Sequence, residues 1–561
     1  MINFNKIKYQ RPNYEEKKDK VESLIEELKQ ANTADDFLKV FWQLNLIQLE
    51  IEQSYDYADI KNMRDESDEF YQYEMNYWNE FKPKFDLLFT NVYKICLNTP
   101  FKNEIKAKIP DNFFYFIEYE TKTSSKDILD LKKRDNELKK EYRNVIKKKC
   151  SFKGKEYNLS YVTSFFSSPN RQERKEAHDT YNDFFLENQN ELDNIFYEMI
   201  KVRNEIAHKL GFKNYSDLSL LLLRRFGYTY ENIKTFRNNI KKHIIPITKK
   251  IADIQKRELG LEKLEYYDTV FYKDEPFLLY NGKELLSQAK SVFTSMHNEV
   301  GAFYSQMLDN DYIDLVNRDH KVNFAITNYL TLDAYPVITG NFKNKYTDLT
   351  TLTHEFGHSF QKYMARIEDK NHIVSPLLKY PTFDIAEMFS YGMQLISLDY
   401  VKELFSQQDY YKYKFLMIKD LITSLPYIAA VDEFQEQIYS NNYSIEEIRE
   451  VWLKISNSYN LTVSNEGHPN LNSGGYFYRQ NHIFLNPFYY IDYAISYFGA
   501  FAIWQKISES LGLFKEMAKV ASYYPLTDLI NKFKITNPFN DKDFNALANF
   551  LENQLDSCIK K

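Results

Sequence analysis

Two histidines and a glutamate near the middle of the chain are spaced for metal chemistry. The segment Thr347 to Arg366 reads TDLTTLTHEFGHSFQKYMAR, and His354, Glu355 and His358 form the pattern H-E-x-x-H. On an α-helix, positions i and i+4 lie on one face, so both imidazoles can bind one Zn²⁺. Glu355 would then lie beside the metal and take a proton from a zinc-held water. The alternative is two unrelated histidines, but Gly357 disfavours it, since glycine costs about 1 kcal/mol in a helix interior and indicates a close approach.

The residues around this motif predict the elements that must position it. Thr347 or Asp348 can cap a helix, and apolar residues recur at helical spacing along one face. These apolar residues are Leu349, Leu352, Phe356, Phe360 and Tyr363. Upstream, residues 311–342 are rich in β-branched and aromatic residues, which predicts a few short strands. An edge of that sheet could bind an extended peptide as an added strand, or the sheet could only support the helix.

A catalytic zinc site needs a third protein ligand and an open position for water. The motif is not followed by a third histidine at the x-x-G-x-x-H spacing, and His372 lies in a polar loop. Glu387 is the better candidate, because an acid in a mainly apolar run is costly to bury unless it is paired or metal-bound. We predict Glu387 as the ligand, on a helix that starts near Pro381 and Thr382, with Asp384 as its supporting partner or alternative.

Length and composition predict a mainly α-helical protein with more than one domain. The chain has 561 residues but only 14 glycines and 15 prolines, and so few turn residues favour long helices. A cap at residues 32–35 precedes an apolar helical stripe, and Pro83, Pro100 and Pro110 are expected to separate further helices. We expect the loop around Gly154 to end an N-terminal helical region, 1–160, before a catalytic region, 161–561.

Charge and cysteine content argue against several classes of function. The net charge is −6, with 73 basic and 79 acidic residues well mixed, which is not typical of nucleic-acid or membrane-surface binding. Cys96, Cys150 and Cys558 have no metal-binding or paired spacing, which favours a reducing compartment. The first 20 residues lack the apolar core of a signal peptide, and the apolar run Tyr493 to Trp504 is too short to span a bilayer. We expect a cytoplasmic protein that binds neither nucleic acid nor membranes, of undetermined oligomeric state.

A histidine and several tyrosines follow a glycine cluster near the C-terminus. Gly467, Gly474 and Gly475 lie within SNEGHPNLNSGGYFYRQNH, and such clustering in a glycine-poor chain predicts a mobile loop that also holds His468. The loop is followed by His482, Tyr489, Tyr490 and Tyr493. Because the chain has 46 tyrosines, packing is the commoner role for such a run, and the residues alone leave substrate contact as the alternative.

These segments together resemble the thimet oligopeptidase / oligoendopeptidase F family of zinc peptidases. TLTHEFGHSFQ is followed, 29 residues after His358, by Glu387 of DIAEMFSYGMQ, as in that family. RQNHIFLNPFYYIDYAISYFGA is similar to the family's substrate-binding segment, and YQRPNY and RNEIAHKLGFKNY extend the resemblance over nearly the whole chain. The likeness is greatest to the shorter branch, which includes the PZ-peptidases. It implies a two-lobed helical peptidase whose deep channel admits short unstructured peptides.

The function implied is a zinc-dependent endopeptidase acting on oligopeptides. In that reading Glu355 is the general base, and an oxyanion is stabilised by zinc together with His482, Tyr489 or Tyr493. The metal would be held, one ion per chain, by His354, His358 and Glu387.

One position departs from the family pattern. Gln394 stands seven residues after Glu387, where the family commonly has a second glutamate that orients a zinc-bound histidine. An amide can accept the same hydrogen bond without the charge, so we expect the metal to bind with altered affinity or rate. Two alternatives remain: a peptidyl-dipeptidase or carboxypeptidase that uses the same metal centre, and a catalytically impaired peptide-binding protein.

Overall fold

The computed structural model describes residues 2–123, 125–332, 335–368 and 376–559. His372, set aside above as a third ligand, lies outside the described residues. Helices make up 71% of the chain, so the prediction of a mainly α-helical protein is confirmed.

The N-terminal part is built from long helices. Thr33 caps the second of them by accepting a hydrogen bond from the backbone N–H of Asp36, and the predicted apolar stripe of that helix is buried. Pro83 does not end a helix, because it lies inside the third, whereas Pro100 and Pro110 lie between helices. The helices are α1 (Tyr14–Lys29), α2 (Ala34–Arg64), α3 (Glu69–Asn98), α4 (Lys102–Lys106), α5 (Asp111–Thr123) and α6 (Leu129–Ile146).

The loop predicted around Gly154 is a short β-hairpin. Strand β1 (Cys150–Phe152) pairs antiparallel with β2 (Lys155–Tyr157). The two residues of the turn, Lys153 and Gly154, both have left-handed φ angles, 52° and 73°. This is the conformation that favours glycine in a two-residue hairpin turn, so the turn signal was correct and the flanking strands were missed.

Further helices lead to a three-stranded sheet. They are α7 (Leu159–Thr163), α8 (Arg171–Glu187), α9 (Gln189–Lys209), α10 (Tyr215–Leu222), α11 (Tyr230–Asn239), α12 (Ile245–Glu258), α13 (Gly282–Met296) and α14 (Asn298–Asp309). The predicted strands follow as β3 (Ile313–Asp314), β4 (Ile326–Leu330) and β5 (Tyr335–Thr339). Strand β5 is central, parallel to β3 and antiparallel to β4, with Thr327 opposite Ile338. Strand β4 therefore lies at one edge of this sheet.

The remaining helices carry the predicted chemistry. They are α15 (Thr347–Glu368), α16 (Phe383–Ser397), α17 (Gln407–Ser440), α18 (Ile445–Ser458), α19 (Thr462–Asn465), α20 (Pro469–Asn472), α21 (Asn481–Leu485), α22 (Ile491–Trp504), α23 (Ser510–Val520), α24 (Leu526–Phe533) and α25 (Asp541–Ile559). Helix α16 packs between α15 and α22, and α15 also packs against β4 and β5.

Two hydrophobic cores underlie this arrangement. The smaller is formed mainly by α1, α2, α3 and α5, and the larger fills the rest of the molecule. A buried ion pair crosses between the N-terminal helices and the segment before α16: both Asp56 carboxylate oxygens on α2 accept from Lys379, at 2.8 and 2.6 Å. The hydroxyl of Thr331, just after β4, also donates to Asp56. The boundary near residue 160 stays a prediction. Among the described helices, none has the length and apolar character to cross a membrane.

Candidate active site

Helix α15 presents the H-E-x-x-H motif from a buried apolar face. Leu349, Phe356 and Phe360 are almost fully buried. At the start of the helix, the Asp348 carboxylate accepts hydrogen bonds from two preceding backbone N–H groups, each at 2.8 Å. At Gly357, a Cβ atom would lie 2.7 Å from the carbonyl oxygen of Phe389 on α16. Glycine is therefore required because α15 and α16 come into close contact there, as the sequence indicated.

This close packing brings a His-His-Glu cluster together. The Nε2 atoms of His354 and His358 lie 3.3 and 3.6 Å from Oε2 of Glu387. Within the described residues, these three form the one group of His, Cys, Asp and Glu side chains found suitable for a metal. Zinc bonds of about 2.0–2.1 Å place neighbouring tetrahedral donors about 3.3–3.4 Å apart, so the nitrogen and oxygen donors fit this metal.

Neighbouring side chains on α16 fix the orientation of two donors. Oε1 of Gln394 lies 3.3 Å from Nδ1 of His354, and its amide Nε2 donates to the carbonyl oxygen of Thr350 at 3.2 Å. The amide thus makes the hydrogen bond expected of it and leaves Nε2 of His354 for a metal. The hydroxyl of Ser390 lies 2.9 Å from Oε2 of Glu387.

Electrostatics couple the same donors. Burial disfavours the Glu387 carboxylate, but His358 and His354 outweigh that effect and lower its pKa to about 2. For His354, burial opposes the charged form, yet the hydrogen bond and charge of Glu387 raise its pKa to about 9. Burial lowers the pKa of His358.

Glu355 lies on the same helix but turns toward the sheet. The hydroxyl of Thr327 on β4 lies 2.7 Å from Oε2 of Glu355 and 2.9 Å from its backbone oxygen. Glu355 is 6% exposed, so this carboxylate is buried beside the cluster without belonging to it. The sequence did not identify Thr327, although its place in a predicted strand next to the motif was a usable signal.

Asp384, the alternative ligand, is not brought to the cluster. Its Oδ2 accepts a hydrogen bond from the hydroxyl of Tyr228 at 2.9 Å, and burial raises its pKa. Asp384 lies almost one turn nearer the start of α16 than Glu387. There it meets Tyr228 in the loop before α11, and this hydrogen bond holds its carboxylate away from the cluster.

The predicted histidine and tyrosines form a second group, the ring segment, residues 481–497, which runs from α21 through the connecting turn into α22. The ring of His482 stacks on Tyr490 and Tyr489, with centroids 4.7 and 5.7 Å away. The hydroxyl of Tyr489 lies 3.2 Å from that of Tyr493. Burial, and then the hydroxyl contact with Tyr493 and the charge of Glu387, raise the pKa of Tyr489, while burial lowers the pKa of His482. These groups are neutral hydrogen-bonding side chains.

Tyr391 on α16 connects the cluster to Tyr497, the last residue of the ring segment. The ring of Tyr391 on α16 lies 4.8 Å from that of His354 and 4.4 Å from that of Tyr497. The ring centroids of Tyr497 and Tyr493 are in turn 6.5 Å apart. Neither tyrosine was assigned a role from the sequence, although each lies four residues after a candidate site residue on one helix, Tyr391 after Glu387 and Tyr497 after Tyr493.

The glycine cluster before the ring segment has a packing role. A Cβ at Gly474, where φ is 87°, would lie 2.5 Å from the carbonyl oxygen of Arg449. His468 is buried, accepts a hydrogen bond from the N–H of Asn470 and lies 3.1 Å from Asp183. These contacts account for His468 as a structural residue, and the mobility predicted for the loop stays a prediction.

Comparison with known proteins is consistent with this geometry. The domain described as Peptidase family M3 matches residues 164–542, and the Peptidase M3 N-terminal domain matches residues 4–124. The helical fold and the His-His-Glu cluster define a metallopeptidase. The chain belongs to peptidase family M3.

Individual relatives and solved structures agree with this family assignment. Oligopeptidase PepF of Bacillus subtilis is 27% identical over 43% of this chain and 35% of its own length. An oligoendopeptidase F homolog of Borreliella burgdorferi is 25% identical over 68% of this chain and 66% of its own. The structure of PZ peptidase A with an inhibitor is 30% identical and superposes over 99% of both chains with a TM-score of 0.85. Metallocarboxypeptidase 1 of Trypanosoma cruzi, 12% identical with a TM-score of 0.55, shares the fold alone.

Proposed function

We propose that this protein is a zinc-dependent endopeptidase that hydrolyses internal bonds of short, unstructured peptides. The observation that carries the proposal is the cluster of His354, His358 and Glu387, with the carboxylate of Glu355 next to it, in a chain of peptidase family M3. The cytoplasmic location and the absence of nucleic-acid and membrane partners stay predictions.

The chemistry divides between the metal and the protein. Zinc, held by the two imidazoles and the carboxylate, would polarise a carbonyl and acidify a water molecule. Glu355 would act as general base, taking a proton from the attacking water and giving it to the leaving amine. Thr327 supports this role, because its hydroxyl contacts the Glu355 carboxylate and orients it.

The ring segment would supply the hydrogen bonds that a developing oxyanion needs. Tyr489 and Tyr493 carry neutral hydroxyls, and burial, with a contribution from the charge of Glu387, raises the pKa of both. A donor aimed at the oxyanion contributes about 3–4 kcal/mol to lowering the barrier. His482 stacks between these rings as a further candidate donor.

Strand β4 is the candidate substrate surface. It is the edge strand of its sheet and lies beside Glu355, so an extended peptide could pair along its outer edge. Large apolar side chains are exposed on the segments flanking the motif, which suits the burial of peptide side chains. They are Phe324, Leu332, Tyr380 and Phe383.

The test uses the purified protein, zinc analysis and a matched pair of peptides of one sequence. One peptide has a free C-terminal carboxylate and the other a C-terminal amide. We expect one zinc per chain and the same internal cuts in both peptides by mass spectrometry, with activity lost on chelation. Release of C-terminal residues from the free acid alone would instead support the carboxypeptidase alternative. Tight peptide binding without turnover would support the impaired binding protein.

A further inference from the structure

The ring segment contains one residue in an unfavourable backbone conformation. Phe488, directly before Tyr489, has a φ of 65°, and it is fully buried. A residue with a side chain of this size rarely adopts the left-handed region, and it does so only where the surroundings enforce it. The conformation turns the chain between α21 and α22, and it therefore sets the direction in which the following tyrosines project.

Both backbone groups of Phe488 are held by buried side chains from other parts of the chain. Its N–H donates to Oε1 of Gln435 on α17 at 2.9 Å. Its carbonyl oxygen accepts from Nη2 of Arg225 at 2.6 Å. Gln435 is 0% exposed and Arg225 is 3% exposed, so neither hydrogen bond competes with water.

Arg225 also holds the start of α22. Its Nε donates to Oδ1 of Asp492 at 2.7 Å, and Asp492 directly precedes Tyr493. One guanidinium in the loop between α10 and α11 thus bonds the chain on both sides of Tyr489 and Tyr490. A planar guanidinium with donors in a fixed arrangement can make two such bonds together, which a lysine ammonium cannot do with the same geometry.

A second buried arginine holds the other end of the segment. Arg203 on α9 is 0% exposed and donates to the carbonyl oxygens of Ile483, at 3.1 Å, and Phe484. Its Nε bonds Asp135 on α6 at 2.8 Å. A buried arginine therefore bonds the backbone just after His482, as another buried arginine bonds the backbone just before Tyr489.

We propose that Arg225, with Gln435 and Arg203, positions the ring segment, so that Tyr489 and Tyr493 are directed at the reacting carbonyl before substrate binds. The proposal rests on the proposed peptidase function and adds positioning residues that do not touch the substrate. Among the described residues, Arg225 donates to the carbonyl oxygen of Phe488 and to Asp492, so we expect its effect on catalysis to pass through the tyrosines that these bonds flank.

The experiment is a double-mutant cycle between Arg225→Lys and the pair Tyr489→Phe with Tyr493→Phe. In the otherwise unchanged enzyme, we expect Arg225→Lys to lower kcat about tenfold to a hundredfold, as misplacement of a catalytic group does, with zinc content unchanged. In the background that lacks both hydroxyls, the same change should alter kcat less than about threefold, because coupled residues are not additive.

Arg237→Lys is the matched control. Arg237 is equally buried, at 3% exposure, and its Nη1 bonds Asp432 at 2.8 Å. Its hydrogen-bond partners among the described residues, Asp432 and Glu436, lie outside the ring segment. We expect a comparable fall in the unfolding midpoint and a kcat within about twofold of wild type.

Two results would overturn the proposal. One is an equal loss of kcat from Arg225→Lys in both tyrosine backgrounds. The other is a fall in kcat for Arg225→Lys that is no greater than the fall for Arg237→Lys. Calorimetry with a phosphinic peptide, which mimics the tetrahedral oxyanion, gives an independent readout. Arg225→Lys should weaken binding of this peptide, and Arg237→Lys should not. If zinc-loaded wild type cleaves no peptide, the proposed function fails before any variant is compared.

Discussion

On the metal side of the candidate active site, carried by α15 and α16, donor groups are fixed through their own side-chain hydrogen bonds. His354 is held by Gln394, Glu387 by Ser390 and Glu355 by Thr327. On the ring side, carried by α21 and α22, the rings pack on one another and the tyrosine hydroxyls meet each other. There the fixed points are backbone groups, bonded by Arg225 and Arg203.

The difference follows from charge. Burying an ionisable group without a partner is costly, so each ionisable side chain on the metal side needs its own hydrogen-bonding or charged partner. The phenols of Tyr489 and Tyr493 are neutral and only half-buried, so their hydroxyls can stay available for a substrate. The metal side should therefore respond to removal of single charged atoms, and the ring side to loss of a hydroxyl or of its backbone anchors.

The largest expected effect is the loss of catalysis from Glu355→Gln. Removing the proposed base should lower kcat/KM by about 10³-fold or more, within the range general acid–base catalysis supplies, while zinc content stays at one per chain. Cleavage of a quenched fluorescent peptide, with metal analysis of the same sample, measures both. Turnover near the wild-type rate would show that Glu355 is not the base.

Glu387→Ala should separate metal binding from folding. With one of three donors removed, we expect purified protein to hold far less than one zinc per chain and activity to return only in part with added zinc. Asp384→Asn is the matched control, because Asp384 lies on the same helix but bonds Tyr228 outside the cluster. An unchanged zinc content in Glu387→Ala would show that Glu387 is not the third ligand. Loss of zinc from Asp384→Asn alone would assign that role to Asp384.

Tyr493→Phe tests the ring side directly. Loss of one oxyanion donor should reduce kcat about a hundredfold with a smaller change in KM, since the hydrogen bond would form in the transition state. Tyr490→Phe is the control, because the Tyr490 ring stacks on His482 while the hydroxyl contact within the segment joins Tyr489 and Tyr493. Equal losses in both variants would contradict the assignment.

Gln394 allows a smaller, two-way test of the metal side. Gln394→Glu should tighten zinc binding by up to about tenfold, because a carboxylate facing Nδ1 of His354 makes the imidazole a better donor. Gln394→Met removes the acceptor and should weaken zinc binding. Competition with a chelator of known affinity ranks the three proteins. A fall in affinity on both substitutions would show that the amide is optimal here.

The smallest effect is the pH response of His482. Burial lowers its pKa, so the folded state disfavours the charged ring, and its contribution to stability is complete above about pH 6.5 and is lost on acidification. Wild type should therefore lose more unfolding free energy between pH 6.5 and 5 than His482→Gln does. NMR titration of the His482 ring should give a pKa below 6.5. A charged ring at pH 7 would contradict the neutral role given to it.

The sequence predicted the parts of this site that have a local signal. Helical spacing and apolar periodicity located α15, Gly357 reported the contact with α16, and the cost of burying an acid singled out Glu387. The anchors of the ring segment had no such signal. Arg225 and Gln435 lie 263 and 53 residues from Phe488, and the left-handed φ occurs at a phenylalanine, where no residue-type preference announces it.

The ion pair between Asp56 and Lys379 has a consequence for how the chain can be divided. Lys379 is 9% exposed and directly precedes Tyr380, and its carboxylate partner belongs to α2. A fragment starting at residue 161 would keep Lys379 and lose Asp56, the acid that Lys379 and Thr331 both bond beside the end of β4. The first helices are thus part of the scaffold of the proposed peptide-binding edge, so separately expressed halves should regain an ordered β4 only when mixed.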